Sequence, residues 1–336
     1  MRELPGAHVL QTWEWGEFKR ETSRWAPLRL AFERRGRVVA MASVLTRRLG
    51  PLKVMYVSKG PALDYADTEL AAQALGKLEA RAKNLGVVWL KIDPDVVAAT
   101  GMPGSADDHS DGAGRAVNRL LRGRGWRFSD AQVQFRNTLT IDLNRSEDEI
   151  LAAMSGNTRR KIRVASKKGV FMRPASIEDL PLLYRLYQIT GERDKFLIRP
   201  FEYYRGAWEA FMRARLAQAF IAEYEGKAIA HVILFHFGRK CWYFYGASAN
   251  EERARMPNYL LQWEAIKWAK AQGYASYDMW GAPDNFDASD GLWGVYQFKR
   301  GFRGQVTRHI GAWDFVSHPT LYYIYQQAAP KFLSAI

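Results

Sequence analysis

Six Lys and Arg side chains and no acid fall between Asn157 and Gly169: Arg159, Arg160, Lys161, Arg163, Lys167 and Lys168. A solvated helix face usually mixes charges, whereas a run of one sign suits neutralisation of a polyanion's phosphates. Arg115, Arg119, Arg122, Arg124 and Arg127 form a second basic set. Such cations also attract an anionic membrane. Asp93 is a different kind of candidate. It closes the run Val87–Ile92 just before Pro94, at the carboxyl end of a strand, where α/β sheets place functional groups. A carboxylate there can orient or deprotonate an attacking amine. Asp278 closes a matching run, so capping the next turn competes as the role of both. Tyr243 and Tyr245, two apart on a strand, are expected on one face, lining a cleft or filling a core.

Other chemistries are excluded. His231 and His236, five residues apart on a strand, would lie about 17 Å apart on opposite faces and cannot share a metal ion. Cys241 is the single cysteine, so neither a disulfide nor a thiolate zinc site is available. No HExxH, nucleophile elbow or P-loop occurs. No metal or redox cofactor is expected. The 336 residues carry 49 Lys and Arg against 35 Asp and Glu, a net charge of +14 that favours an anionic partner. With 48% hydrophobic and 13% aromatic residues, the chain can bury the cores of about two domains. No apolar run approaches the roughly 18–20 residues of a membrane span, and the first residues lack a secretory pattern. A soluble cytoplasmic protein is expected, with peripheral contact at the inner membrane face as the variant the cations suggest.

These residues must be positioned by an α/β framework. Alternating strands over 28–33 and 38–45 flank Gly36, a third strand covers 54–57, a helix runs from Thr68 to Asn84 with Gly86 as its stop, and a strand follows over 87–92. The same β-β-β-α-β order recurs. Glu33, Gly36 and Ala40 reappear as Glu223, Gly226 and Ala230, and Ala82-Lys83-Asn84-Leu85-Gly86 as Ala269-Lys270-Ala271-Gln272-Gly273, so one unit is present twice. Thr100–Gly114 reads as a surface loop. Ser146-Glu147-Asp148-Glu149 is a capping box and Ser176 opens another helix. The boundary is expected between residues 145 and 170, giving domains 1–160 and 161–336.

A strand meander feeding a helix and a further strand is the plan of the GNAT acyltransferases, so the expected fold class is α/β with mixed sheets and two tandem GNAT-like domains. In such folds a Gly-rich turn before the helix presents backbone N–H groups to the pyrophosphate of coenzyme A. Here that turn reads Gly246-Ala247-Ser248-Ala249-Asn250-Glu251-Glu252-Arg253-Ala254-Arg255-Met256-Pro257. No glycine follows Arg253 and Pro257 lacks a donor, which disfavours acetyl-CoA and points to another activated acyl donor.

Six segments then occur in order: Trp15-Gly16-Glu17-Phe18-Lys19, Ser58-Lys59-Gly60-Pro61, Lys91-Ile92-Asp93-Pro94, Ile198-Arg199-Pro200, Tyr243-Phe244-Tyr245-Gly246-Ala247-Ser248 and Tyr296-Gln297-Phe298-Lys299-Arg300-Gly301-Phe302. Together the chain resembles the FemABX family, tRNA-dependent transferases that add amino acids to the peptidoglycan stem peptide. The resemblance covers nearly the whole chain and is closer to compact members acting on UDP-MurNAc-pentapeptide, because no long antiparallel helical arm is evident.

That resemblance implies an aminoacyl-tRNA donor and UDP-MurNAc-pentapeptide or lipid II as acceptor. It places a pyrophosphate-binding pair on Lys19 and Arg199, with Tyr203 in the same cleft or in a core. It places Phe298 and Lys299 at the active site, where a cation can stabilise the oxyanion of the tetrahedral intermediate by about 3 kcal/mol. Asp93 is a candidate base, Tyr243 and Tyr245 line the acceptor cleft, and the basic tract becomes a tRNA track. An acyl-CoA-dependent GNAT enzyme and a noncatalytic RNA-binding module are the competing readings.

Overall fold

Both expected hairpins close on consecutive left-handed residues: Arg35 and Gly36 at φ 53° and 73°, and Glu225 and Gly226 at 49° and 73°. These are two-residue type I′ turns, whose twist matches that of the flanking strands. The computed structural model describes residues 1–333. Its elements begin with α1 (Trp13–Ser23), β1 (Ala26–Arg34), β2 (Arg37–Leu49), β3 (Leu52–Val57), β4 (Ala62–Leu63), α2 (Thr68–Asn84), β5 (Trp89–Ile92), β6 (Val97–Thr100), β7 (His109–Ser110), α3 (Gly112–Gly123) and β8 (Arg127–Phe128). Then come β9 (Asn137–Asp142), α4 (Glu147–Ala153), α5 (Gly156–Lys167), β10 (Phe171–Pro174), α6 (Leu180–Asp194), α7 (Phe201–Arg213), β11 (Ala217–Tyr224), β12 (Lys227–Phe237) and β13 (Lys240–Ser248). The chain ends with α8 (Pro257–Ala271), β14 (Ser276–Asp278), α9 (Trp293–Lys299), β15 (Gln305–His309), β16 (Trp313–Val316) and α10 (Pro319–Leu333).

Two units form, and neither is continuous in sequence. The first holds Met1–Thr100, Ser105–Arg136 and the segment from Arg308 onward; the second holds Gly101–Gly104 and Asn137–Thr307. The expected division at 160/161 is therefore corrected, and strand pairing supplies the reason. β9 pairs antiparallel with β14, Thr140 opposite Asp278, so the second unit begins before α4. β16 pairs antiparallel with β5, Trp313 opposite Ile92, so the end of the chain completes the first unit.

Within the first unit the strand order is β1-β2-β3-β5-β16-β8, with β3 and β5 parallel across α2. Within the second it runs β10-β11-β12-β13-β14-β9-β15, with β13 and β14 parallel across α8. The duplication extends to irregularities: the first hairpin is bulged between Phe32 and Glu33, and its counterpart between Ala222 and Glu223. Gly86 and Gly273, both at positive φ, follow α2 and α8 at an offset of 187. The same offset aligns Trp89 with Ser276, each paired at the start of its parallel ladder. It therefore aligns Lys91 with Asp278 and Asp93 with Trp280, so Asp93 and Asp278 are not counterparts.

Packing follows from the patterns. On α2 the buried side chains are Leu70, Ala71, Ala74, Leu75, Leu78 and Ala82, the i, i+3/i+4 stripe of an amphipathic helix, and each fully buried Leu contributes about 1.5–3 kcal/mol. In the second unit Ala230, Val232 and Leu234 of β12 share a core with Leu261, Ala265 and Ile266 of α8 and Ile162 of α5. The capping box at Ser146 is present, Glu149 bonding back to the Ser146 N–H at 2.7 Å. Thr100–Gly114 contains the end of β6, its partner β7 and the start of α3 rather than only a loop. Among the described residues the longest helix is α2, at 17 residues, and none is long and apolar enough to cross a membrane.

Candidate active site

In the second unit two buried charged groups, Asp278 and Lys299, gather at the C-terminal end of β14. α9 turns two of its side chains inward, Tyr296 and Lys299, three apart and hence on one face. Lys299 is 5% exposed. Its Nζ donates to the carbonyl oxygen of Trp280 and to that of Gly281 at 2.7 Å, and lies 5.6 Å from the centroid of the Tyr243 ring. The third N–H has no hydrogen-bond acceptor among the described residues. Burial draws this amine down to about 7, against the opposing pull of the Asp278 carboxylate. In its ammonium form this buried amine keeps one donor unused.

The carbonyls reach Lys299 because the chain bends sharply after β14: Trp280 and Gly281 both adopt left-handed conformations, φ 52° and 54°. Glycine takes this without cost, whereas a bulky residue such as Trp280 needs its surroundings to hold it. Asp278 Oδ1 accepts the Trp280 N–H at 2.8 Å and the hydroxyl of Thr138 from β9. The Trp280 indole stacks on Phe244, 4.5 Å and 19° between rings.

Phe244 is itself an extra residue. Ile233 faces Tyr245 and Leu234 faces Tyr243, with the register shifting between them. Ile233 and Leu234 point to opposite faces, so Tyr243 and Tyr245 do too, and the expected shared face is overturned by this bulge. Tyr243 lies toward the Leu234 core and Lys299. A side chain on Gly246 would collide with its ring and hydroxyl, so only glycine fits there. Tyr245 joins the aromatic cluster beneath α6 and α7, 5.6 Å from Trp208 and 5.9 Å from Tyr187 and Tyr204. Burial pushes the Tyr243 hydroxyl up to about 12 and that of Tyr245 well above its usual range; both are neutral phenols at neutral pH.

Phe298 does not accompany Lys299 inward. It packs edge-on against Tyr259 and Phe302 at 5.0 and 5.3 Å. Arg199 is exposed in the turn before Pro200, its guanidinium 4.7 Å from the half-buried Tyr203 ring. The Tyr184 hydroxyl donates to the Arg199 carbonyl at 3.0 Å, and the Arg199 N–H donates to the Tyr204 hydroxyl at 3.3 Å. Phenols thus fix the backbone and leave the guanidinium at the surface.

Lys19 and Asp93 belong to the first unit. Lys19 sits on α1, half-buried, its Nζ 4.6 Å from the Trp15 ring and 5.2 Å from Phe18. Asp93 is 3% exposed. Its carboxylate accepts the Tyr56 hydroxyl at 2.6 Å and the Lys59 N–H at 2.5 Å. Burial raises it to about 6, although the Lys59 charge and the Tyr56 hydrogen bond oppose the shift. These bonds tie the Ser58-Lys59-Gly60 turn to β5.

The basic helix divides by role. Arg159 donates to the carbonyls of Ala152 and Met154 at 2.5 and 2.7 Å, satisfying the end of α4. Lys161 bonds the Tyr259 hydroxyl at 2.9 Å and Lys168 the Ala254 carbonyl at 3.1 Å. Arg160, Arg163 and Lys167 are exposed at spacings of three and four, one stripe on α5. Trp280, Gly281 and Thr138 are site residues that the sequence motifs do not single out. The offset of 187 was the signal for the first two; nothing in the sequence marks Thr138.

Among the described residues no group of three or more His, Cys, Asp or Glu is placed to hold a metal ion. Before α8, Glu252 and Met256 are left-handed and Pro257 takes the first helical position, so this turn lacks the Gly-rich amide cradle.

The same fold occurs in a solved structure described as the crystal structure of FemX, with TM-score 0.86 and 24% identity over 96% of each chain. A tandem GNAT protein from the clavulanic acid biosynthesis pathway aligns with TM-score 0.50 and 13% identity, over 93% of this chain and 97% of that one. The lipid II:glycine glycyltransferase of Staphylococcus haemolyticus (strain JCSC1435) is 25% identical over 98% of this chain and 93% of its own length. That of Staphylococcus aureus (strain USA300) is 24% identical over 100% and 94%. The FemAB family model matches residues 1–216 and 212–330, and the chain belongs to the FemAB family.

Proposed function

We propose that this protein is an aminoacyltransferase of peptidoglycan synthesis, moving an amino acid from aminoacyl-tRNA to the stem-peptide amine of UDP-MurNAc-pentapeptide or lipid II. Family membership and the lipid II:glycine glycyltransferases similar to it support the class of reaction. The observation that carries the mechanism is Lys299, a buried amine anchored by two carbonyls with one N–H unused. The acceptor nitrogen attacks the ester carbonyl, forming the C–N bond and placing negative charge on the carbonyl oxygen. Lys299 Nζ donates its remaining N–H to that oxyanion, where a preorganised donor in a dry site acts most strongly. Collapse breaks the ester C–O bond, and the proton lost by the amine ends on the ribose oxygen of the tRNA.

Arg199 and Lys19 are assigned to the diphosphate of the acceptor, matching a guanidinium fork and an ammonium to phosphate oxygens. The tRNA backbone is assigned to the Arg160, Arg163 and Lys167 stripe, which is exposed and bonds at most within its own helix, whereas Arg159, Lys161 and Lys168 tie α5 to other segments. Asp93 is assigned to holding its turn through the Tyr56 hydroxyl and the Lys59 N–H. Incubation with a mixture of charged tRNAs and each acceptor, read by product mass, tests the proposal. An acceptor heavier by one amino-acid residue is expected; transfer from acetyl-CoA without tRNA would overturn the donor assignment. Arg199→Ala and Lys19→Ala are expected to weaken the UDP-linked acceptor in calorimetry, and unchanged affinity in both would remove the diphosphate site.

A further inference from the structure

Asp278 is buried, 5% exposed, and the reaction above gives it no part. Three observations meet on it. Its Oδ1 accepts the Trp280 N–H at 2.8 Å. The same oxygen accepts the hydroxyl of Thr138 from the neighbouring strand, which fixes the carboxylate's rotamer. The turn it closes carries two consecutive left-handed residues, Trp280 and Gly281, and both of their carbonyls are aimed at one buried amine. A carboxylate accepting a backbone N–H two residues on is common at turns and alone means little. Here the turn is held in a conformation costly for Trp280, and what that conformation produces is a two-carbonyl seat for Lys299.

We infer that Asp278 is a positioning residue: through the Trp280 N–H it holds the turn whose carbonyls orient Lys299 Nζ. This rests on the proposed role of Lys299 for its bearing on catalysis, but not for its physical content. The Asp278 carboxylate is the charged group opposing the loss of the Lys299 proton. The other groups facing Lys299 are the Tyr243 ring and the two carbonyls, none of which titrates near neutrality. Asp278→Asn keeps an acceptor oxygen for the Trp280 N–H and removes the charge. Thr138→Val removes only the rotamer lock.

The test is the pH titration of the Lys299 amine itself, by NMR of the full-length protein with labelled lysine assigned through Lys299→Arg. The wild-type midpoint is expected near 7. In Asp278→Asn it is expected to fall by about one pH unit, the size of a nearby opposite charge, with a smaller fall in Thr138→Val. The basic limb of kcat/KM should move with it while KM for the acceptor stays within about twofold. Midpoints unchanged in both folded variants would overturn the inference. If the midpoint moves but Lys299→Ala still transfers normally, the positioning by Asp278 stands and the catalytic role of Lys299 falls.

Discussion

The two copies of the unit differ most where they are expected to be most alike, at the strand ends following the parallel ladder. In the first, β2 and β3 pair without interruption from Leu45–Tyr56 to Leu49–Leu52, and the charged groups there are held by partners within the unit. Lys91 is paired with Asp314 at 2.9 Å, the two side chains 10% and 3% exposed, and Asp93 is held by Tyr56 and the Lys59 N–H. In the second, one extra residue, Phe244, breaks the register of β12 and β13, its ring stacks on Trp280, and the carbonyls of that turn hold a lysine with an N–H to spare. Position 278 carries Asp where the first copy has Lys91. One fold thus yields a closed polar lock in one copy and an unfinished donor site in the other, and the difference is one bulge and one reversed charge.

If that contrast is right, the copies should respond to substitution in different currencies. Lys91→Met strands the Asp314 carboxylate, and unfolding of the variant is expected to be easier by about 3–5 kcal/mol, with kcat unchanged in the folded fraction. Denaturant titration beside single-turnover rates checks both halves.

A smaller effect separates the copies by pH. His231 is buried in the second unit, and desolvation lowers it to about 3 from 6.5. The unfolded chain takes up a proton below 6.5 while the folded state resists until about 3, so stability is complete above 6.5 and falls as pH drops. At pH 5 the loss is about 2 kcal/mol. Asp93 in the first unit is shifted the other way, raised to about 6, so its contribution is complete below its ordinary value of 3.8 and declines as pH rises through 6. His231→Phe should flatten the acid limb of a melting-temperature profile and Asp93→Asn the limb between 4 and 6; an unchanged acid limb in the first variant contradicts the assignment.

The smallest effects belong to the basic helix. Arg160→Ala, Arg163→Ala and Lys167→Ala are each expected to weaken tRNA binding a few-fold and to reduce the salt slope by about one. Arg159→Ala, which uncaps α4, should instead lower stability by about 1 kcal/mol. Equal loss of tRNA affinity in Arg159→Ala would erase the division of the tract.

Much of this contrast rested on features the sequence displays. Gly36 and Gly226 punctuate their hairpins because a type I′ turn demands positive φ, and α2 runs from Thr68 to Asn84 as its pattern and Gly86 indicate. Strand alternation, in contrast, carries no mark of an inserted residue, so the bulge at Phe244 and the opposed faces of Tyr243 and Tyr245 were hidden. The discontinuous units were hidden as well, since β5–β16 pairing joins residues more than two hundred positions apart. Lys299 was legible only through its resemblance to a family motif. Its partners are backbone carbonyls, which every residue has, and no side-chain pattern announces them.

The central claim is that the chemistry belongs to Lys299 in the second copy. Single-turnover transfer from charged tRNA to UDP-MurNAc-pentapeptide, measured in Lys299→Ala and in Lys91→Met under conditions where both are folded, addresses it directly. The account predicts a loss of about 10²-fold or more for Lys299→Ala, with acceptor affinity retained and Lys91→Met transferring at the wild-type rate. A wild-type rate in Lys299→Ala would contradict it.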